Sequence, residues 1–255
     1  MCYTVSILAK REVSYALRVA TNQSEIRQLE LELRELSMPP LFHVSGFAHP
    51  QLPCYIQADG PHFRAMRWGL IPPWVKDAVQ AAQLSKQTLN ARGGTIFSKA
   101  AFRSAAAKRR CLILVDGFFE FHHRDKRAFP YHIRLKSGEP MALGGLYENW
   151  HGPDGIAIAT VSIVTTEANA LMREIHNNPK AEGPRMPFIV PRDLDVDWLR
   201  MEEGPLEHER VSSLIAPYDE AELEAFTVPP LLGKNAIGNV IEAVEPFVYP
   251  ELGLF

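Results

Sequence analysis

The stretch RRCLILVDGFFEFHHRDKRAFPYHIRLKSGEPMALGGLYENWHGPDGIAIATVSIVTT, residues 109–166, decides the fold class. It holds extended runs at 109–123, 129–136, 141–150 and 156–166, rich in β-branched and aromatic side chains. Turn formers separate them: Arg124-Asp125-Lys126, Ser137-Gly138 and Gly152-Pro153-Asp154-Gly155. Strands that follow one another through short turns predict an antiparallel meander. Working outward, residues 24–37 carry apolar groups at 26, 29, 33 and 36, a helical spacing with Ser24 as N-cap and Pro39-Pro40 as stop. Residues 41–62, rich in Pro, Gly and His, read as a long surface loop, and 63–71 as a strand stopped by Pro72-Pro73. Helices are expected over 95–108, 167–175, 193–201 and 219–226, and an extended segment over 185–190. The expected architecture is α+β: one domain on a strongly bent, mainly antiparallel, barrel-like sheet flanked by short helices.

The 255 residues, 46% hydrophobic and 22% charged, exclude disorder and a coiled-coil rod. Three cysteines, at 2, 54 and 111, have neither the even count of a disulfide framework nor metal-knuckle spacing, and fit a reducing cytoplasm. No export signal, bilayer-spanning stretch, Gly-rich nucleotide loop or metal motif is present, so no membrane, cofactor or metal is expected. Net charge is −3, but residues 60–115 hold ten basic side chains and a single acid, Asp77. A basic window on an otherwise acidic chain suits a polyanion, because phosphate contacts release counterions. A solvated helix and loop would show the same bias.

Individual residues sharpen the chemistry. Removal of Met1 would leave Cys2 as a vicinal aminothiol, whose α-amine, with a pKa of about 7.7–8.0, is partly unprotonated at neutral pH. Such an amine condenses with aldehydes, and the thiol can then close on the imine carbon. Cys2 could equally be a small apolar residue opening a buried strand. Leu89-Asn90-Ala91-Arg92 places an amide and a guanidinium fork in the basic window. In Asp116-Gly117-Phe118-Phe119-Glu120-Phe121, strand alternation puts Glu120 on the face of Phe118, where desolvation would raise its pKa toward that of a general acid or base. His176 stands where a short helix breaks before Asn177-Asn178-Pro179, free to face a cleft, whereas His122 and His123 read as bystanders. In Trp68-Gly69-Leu70-Ile71-Pro72-Pro73-Trp74, Trp68 reads as core and Trp74 as the ring able to stack on a base.

Met1-Cys2, the 68–74 segment, Asn90-Ala91-Arg92, Arg109-Arg110-Cys111-Leu112, residues 116–120, Thr165-Thr166-Glu167-Ala168-Asn169, Ile175-His176, Arg185-Met186-Pro187 and Gly238-Asn239 occur in one order. Together they resemble the SOS-response-associated peptidase family of abasic-site processing proteins. The resemblance implies a single domain over residues 2–255, with Met1 removed by self-processing, that crosslinks through Cys2 to abasic sites in single-stranded DNA as a thiazolidine. It implies that Asn90 orients Cys2 or the opened sugar, that Glu120 shuttles protons during imine formation and lyase-like reversal, and that His176 assists ring opening. Arg92, Arg185 and Thr165 match positions that contact the phosphate backbone, and Trp74 matches an aromatic that meets bases. A monomer associated with the nucleoid and reached by the replication machinery would fit.

The chain departs from the family pattern at Tyr3-Thr4, at residues 177–184, which intervene between His176 and Arg185, and at Val75. An N-terminal-nucleophile amidohydrolase shares a Cys at position two, and a non-covalent single-strand-binding module would share the basic face.

Overall fold

The computed structural model describes residues 2–8, 11–58, 60–179, 182–202 and 204–253; Met1, on which the removal step depends, lies outside them. The strands are β1 Thr4–Ile7, β2 Leu41–Ser45, β3 Gln51–Ile56, β4 His62–Trp68, β5 Asn90–Arg92 and β6 Arg110–Val115. They continue with β7 Gly117–Arg124, β8 Arg127–Leu135, β9 Met141–His151, β10 Ala157–Glu167, β11 Arg185–Pro187 and β12 Leu223–Thr227. The α-helices are α1 Glu12–Val19, α2 Gln23–Leu36, α3 Ala78–Gln87, α4 Arg103–Lys108, α5 Ala170–Ile175, α6 Asp195–Leu199 and α7 Pro205–Leu214.

Two sheets form. One runs β12-β8-β7-β1-β2; the other runs β11-β10-β4-β3-β6-β9, and β9 pairs back onto β10. That last pairing closes β10-β4-β3-β6-β9 into a ring, antiparallel except between β10 and β4. Closure removes edges that would otherwise carry unpaired backbone groups. Val161, Ile163, Val164 and Thr165 of β10 are wholly buried, as a strand covered on both faces requires.

The expected meander is resolved into hairpins on different sheets: β7–β8 belong to the first and β9–β10 to the second, with no β8–β9 pairing. The run 109–123 breaks at Asp116, where the chain crosses from one sheet to the other. Asp116 accepts from the Leu8 amide at 2.7 Å and the Tyr15 hydroxyl at 2.8 Å. At Gly117 a Cβ would lie 2.3 Å from the His132 ring, so only glycine lets the crossover pass.

Other expectations are corrected. Half of the expected 41–62 loop is strand, β2 and β3. Pro53 is tolerated because β3 meets β6 only at Cys54 and Tyr55, leaving no donor required of it there. Only 103–108 of the expected 95–108 segment is α-helical, and 219–226 becomes a short 3-10 turn followed by β12 on the edge of β8. The cap of α2 is Asn22 rather than Ser24, its side chain accepting from the Glu25 amide at 3.0 Å. Helices α1, α3 and α7 fell in stretches where no element was expected.

Candidate active site

Strand β1 runs antiparallel to β7 with Val5 opposite Phe118 and Ser6 opposite Gly117, which directs the residues before β1 toward Glu120. Strand β5 lies parallel to β10, with Asn90 opposite Ile163 and Arg92 opposite Thr165. Its period of two sends Asn90 and Arg92 to one face and Ala91, fully buried, to the other. The Asn90 amide donates to the Cys2 carbonyl at 2.7 Å, while its own buried Oδ1 has no partner. The Cys2 thiol is fully buried and points to the Thr4 carbonyl at 3.6 Å.

Beside these residues a cavity of about 440 Å3 is lined by Tyr3, Arg92, Glu120, His123, His176 and Arg185, with Glu182 at its mouth. Burial lifts the Glu120 carboxyl to about 7, the range of a proton shuttle near neutral pH. Burial, and then the neighbouring Glu120, push the Cys2 thiol far above its ordinary value, so it is held protonated. His176 follows α5, capped by Asn169 accepting from the Met172 amide at 2.9 Å. Its Nδ1 lies 3.0 Å from the Arg185 carbonyl and 3.4 Å from the Arg185 amide, which together fix the orientation of the ring. Burial lowers its pKa, keeping the ring neutral at pH 7, and Nδ1 stands 3.8 Å from Glu120 Oε1.

The guanidinium of Arg185 is anchored on β10, donating to the Thr165 carbonyl at 2.8 Å and to the Thr165 hydroxyl at 3.3 Å. Its pKa is lowered by burial and then by the like charge of Arg92, so the two cations flank one opening. Arg92 makes an ion pair with Glu182.

Fold and cavity thus bring together Glu120, His176, Arg92 and Arg185, with Cys2 and Asn90 directly behind. Thr165 has no exposed surface and acts on Arg185. Trp74 stands outside the lining, 47% exposed, its indole N–H 3.5 Å from the Ala100 carbonyl. The basic window is thinner as a surface than as a sequence. Arg110 is 1% exposed and paired with Glu207 at 2.6 Å, and Arg109 is paired with the buried Glu148 at 2.7 Å.

Tyr3, His123 and Glu182 were missed in the sequence. His123, expected to be a bystander, lines the cavity although strand alternation would put it on the face opposite Glu120, so neither it nor Glu182 carries a cue in the sequence. Among the described residues no cluster of three or more His, Cys, Asp or Glu could hold a metal ion, and no helix is long and apolar enough to cross a membrane.

The profile of the SOS response associated peptidase (SRAP) family matches residues 14–235. The abasic site processing protein YoaM of Bacillus subtilis is 37% identical over 190 residues, 72% of this chain and 78% of that protein. The abasic site processing protein HMCES of Rattus norvegicus is 28% identical over 209 residues, 71% of this chain and 56% of that one. A crystal structure of a Bacteroides thetaiotaomicron protein superposes with a TM-score of 0.80 at 30% identity, covering 97% of this chain and all of the other.

Proposed function

The chain belongs to the SOS response associated peptidase family, and on that premise we propose that it processes abasic sites in single-stranded DNA by capturing them covalently on Cys2. What carries the reading is the convergence behind one cavity mouth of a carboxyl tuned to about 7, a neutral histidine, two arginines and a Cys2 carbonyl held by Asn90.

In this reading Arg92 and Arg185 take the phosphates flanking the lesion, and Thr165 sets the direction of the Arg185 fork. His176 moves the proton that opens the sugar ring to its aldehyde form. The α-amine of Cys2, once N-terminal, adds to the C1′ aldehyde, forming a C–N bond. Glu120 in its acid form gives a proton to the carbinolamine hydroxyl, which leaves as water and yields the imine. The resulting carboxylate then accepts the thiol proton as sulfur attacks the carbon of the protonated imine, whose nitrogen keeps its own hydrogen in the neutral thiazolidine, so Glu120 ends in its acid form. A tuned carboxyl is needed because the thiol is held protonated by burial. With no imine left to promote β-elimination, the strand is protected from scission. The same shuttle run backwards supports reversal, and release of the residue before Cys2 is the self-processing step.

The test is intact mass of purified protein with and without an abasic oligonucleotide. Loss of the initiator residue and an adduct lighter by one water than the sum of the partners are expected. An undiminished adduct in Cys2→Ala, or material that reacts while its first residue is still in place, overturns the mechanism.

A further inference from the structure

Among the described residues the exposed large aromatics are Phe47, Trp74 and Phe247, at 53%, 47% and 41%, and Phe47 alone of these packs on a residue of the cavity wall. Its ring lies 5.2 Å from that of Tyr3 at an interplanar angle of 33°. The turn that presents it is tightly built. The Gly46 amide donates to the Tyr3 carbonyl at 2.7 Å, the Phe47 amide to the Ser45 hydroxyl at 3.3 Å, and the His49 amide to the Gly46 carbonyl at 2.9 Å. His49 takes a left-handed φ of 51° and its ring reaches the Trp68 carbonyl at 2.7 Å. Gly46 presses on the face of Trp68, where an added Cβ would meet the indole at 3.1 Å. A loose loop would fold an apolar ring inward, whereas this turn holds Phe47 out in water against the residue that follows Cys2.

We propose that Tyr3 and Phe47 form a stacking platform for the nucleobase next to the abasic sugar. The proposal rests on the reading of the cavity given above. With the sugar at Cys2 and its phosphates at Arg92 and Arg185, the strand leaves the cavity past Tyr3, and the adjacent base meets the Tyr3–Phe47 pair. A base is the occupant favoured here because the pair offers a π-face beside two cations, the combination that single strands require, and stacking on it is tolerant of sequence. The site then recognises the lesion as a gap beside a stacked base, giving Phe47 a part in binding that the covalent step does not need.

The probe is an oligonucleotide with a tetrahydrofuran abasic analogue, which has no aldehyde, carrying 2-aminopurine one position to the 5′ or 3′ side. Binding to wild type is expected to quench the 2-aminopurine on one side. Phe47→Ala is expected to lose that quenching and to bind roughly tenfold to a hundredfold more weakly. Phe47→Leu, which keeps apolar packing on Tyr3, is expected to lose quenching as well, and Phe47→Trp to retain it. Phe247→Ala serves as the control with no change. Quenching on neither side, or full quenching in folded Phe47→Leu, overturns the platform. Adduct mass on an aldehyde-bearing oligonucleotide is read separately, so failure of the covalent reading leaves a different signature from failure of stacking.

Discussion

The side-chain amide of Asn90 donates to the backbone carbonyl of Cys2 at 2.7 Å, tying the start of the chain to a three-residue strand 88 positions away. Asn90→Ala leaves that buried carbonyl unsatisfied, at a cost of about 1–3 kcal/mol. The expected outcome is a lower melting temperature together with slower adduct formation. Asn90→Asp is expected to be worse, since it sets a carboxylate oxygen against the carbonyl. Thermal denaturation alongside timed denaturing gels checks both.

Glu120 makes stability depend on pH in a specified direction. Its folded pKa is raised by burial from an ordinary 4.5 to about 7, so the folded state holds the proton more tightly than the unfolded chain does. The contribution of the protonated group is full below pH 4.5 and is lost as pH rises to 7. Glu120→Gln is therefore expected to match wild type at pH 4 and to exceed it at pH 8 by on the order of 3 kcal/mol. Denaturant midpoints at both values decide it. The same variant is expected to cut the rate of adduct formation, and in wild type that rate is expected to change with a midpoint near pH 7.

Glu182 pairs with the Arg92 guanidinium, so in the proposed reading a strand whose phosphate goes to Arg92 has to displace it. The pair is solvent-exposed, which limits its strength. Glu182→Gln is expected to tighten non-covalent binding of undamaged single strands by roughly two- to fivefold at low salt. Combined with Arg92→Gln the gain is expected to vanish, whereas a neutralised acid elsewhere, Glu174→Gln, would add the same small increment on either background. Fluorescence anisotropy across a salt series measures these effects.

Arg110 lies within the basic window yet is expected to act on folding alone. It donates to the Ala106 and Trp198 carbonyls at 2.6 and 2.7 Å and pairs with Glu207 in the interior. Arg110→Gln removes one of the two guanidinium groups that hold the buried Glu207 carboxylate, the other being Arg210 at 2.8 Å, and is expected to cost roughly 1–3 kcal/mol. Where folded protein persists, its slope of affinity against salt is expected to equal that of wild type; a shallower slope would place Arg110 on the DNA.

Local pattern determined a good part of this molecule from sequence alone. Extended runs and turn formers in 109–166 set the strands and the α+β class, and a carboxylate among phenylalanines marked Glu120 as desolvated. These are properties of a few adjacent residues, and backbone sterics act over that range. Tertiary structure alone decided which strands pair, since β9 closes on β10 and not on β8. It also decided which charges reach water: Arg110 is paired inside the fold while Arg92, eighteen positions earlier, stands at the cavity mouth. The turn at Phe47 belongs to the same class, because what holds it open is Trp68 and Tyr3, from different parts of the chain. Burial, ion pairing and pKa depend on partners brought in from far along the sequence, and spacing carries no record of those partners.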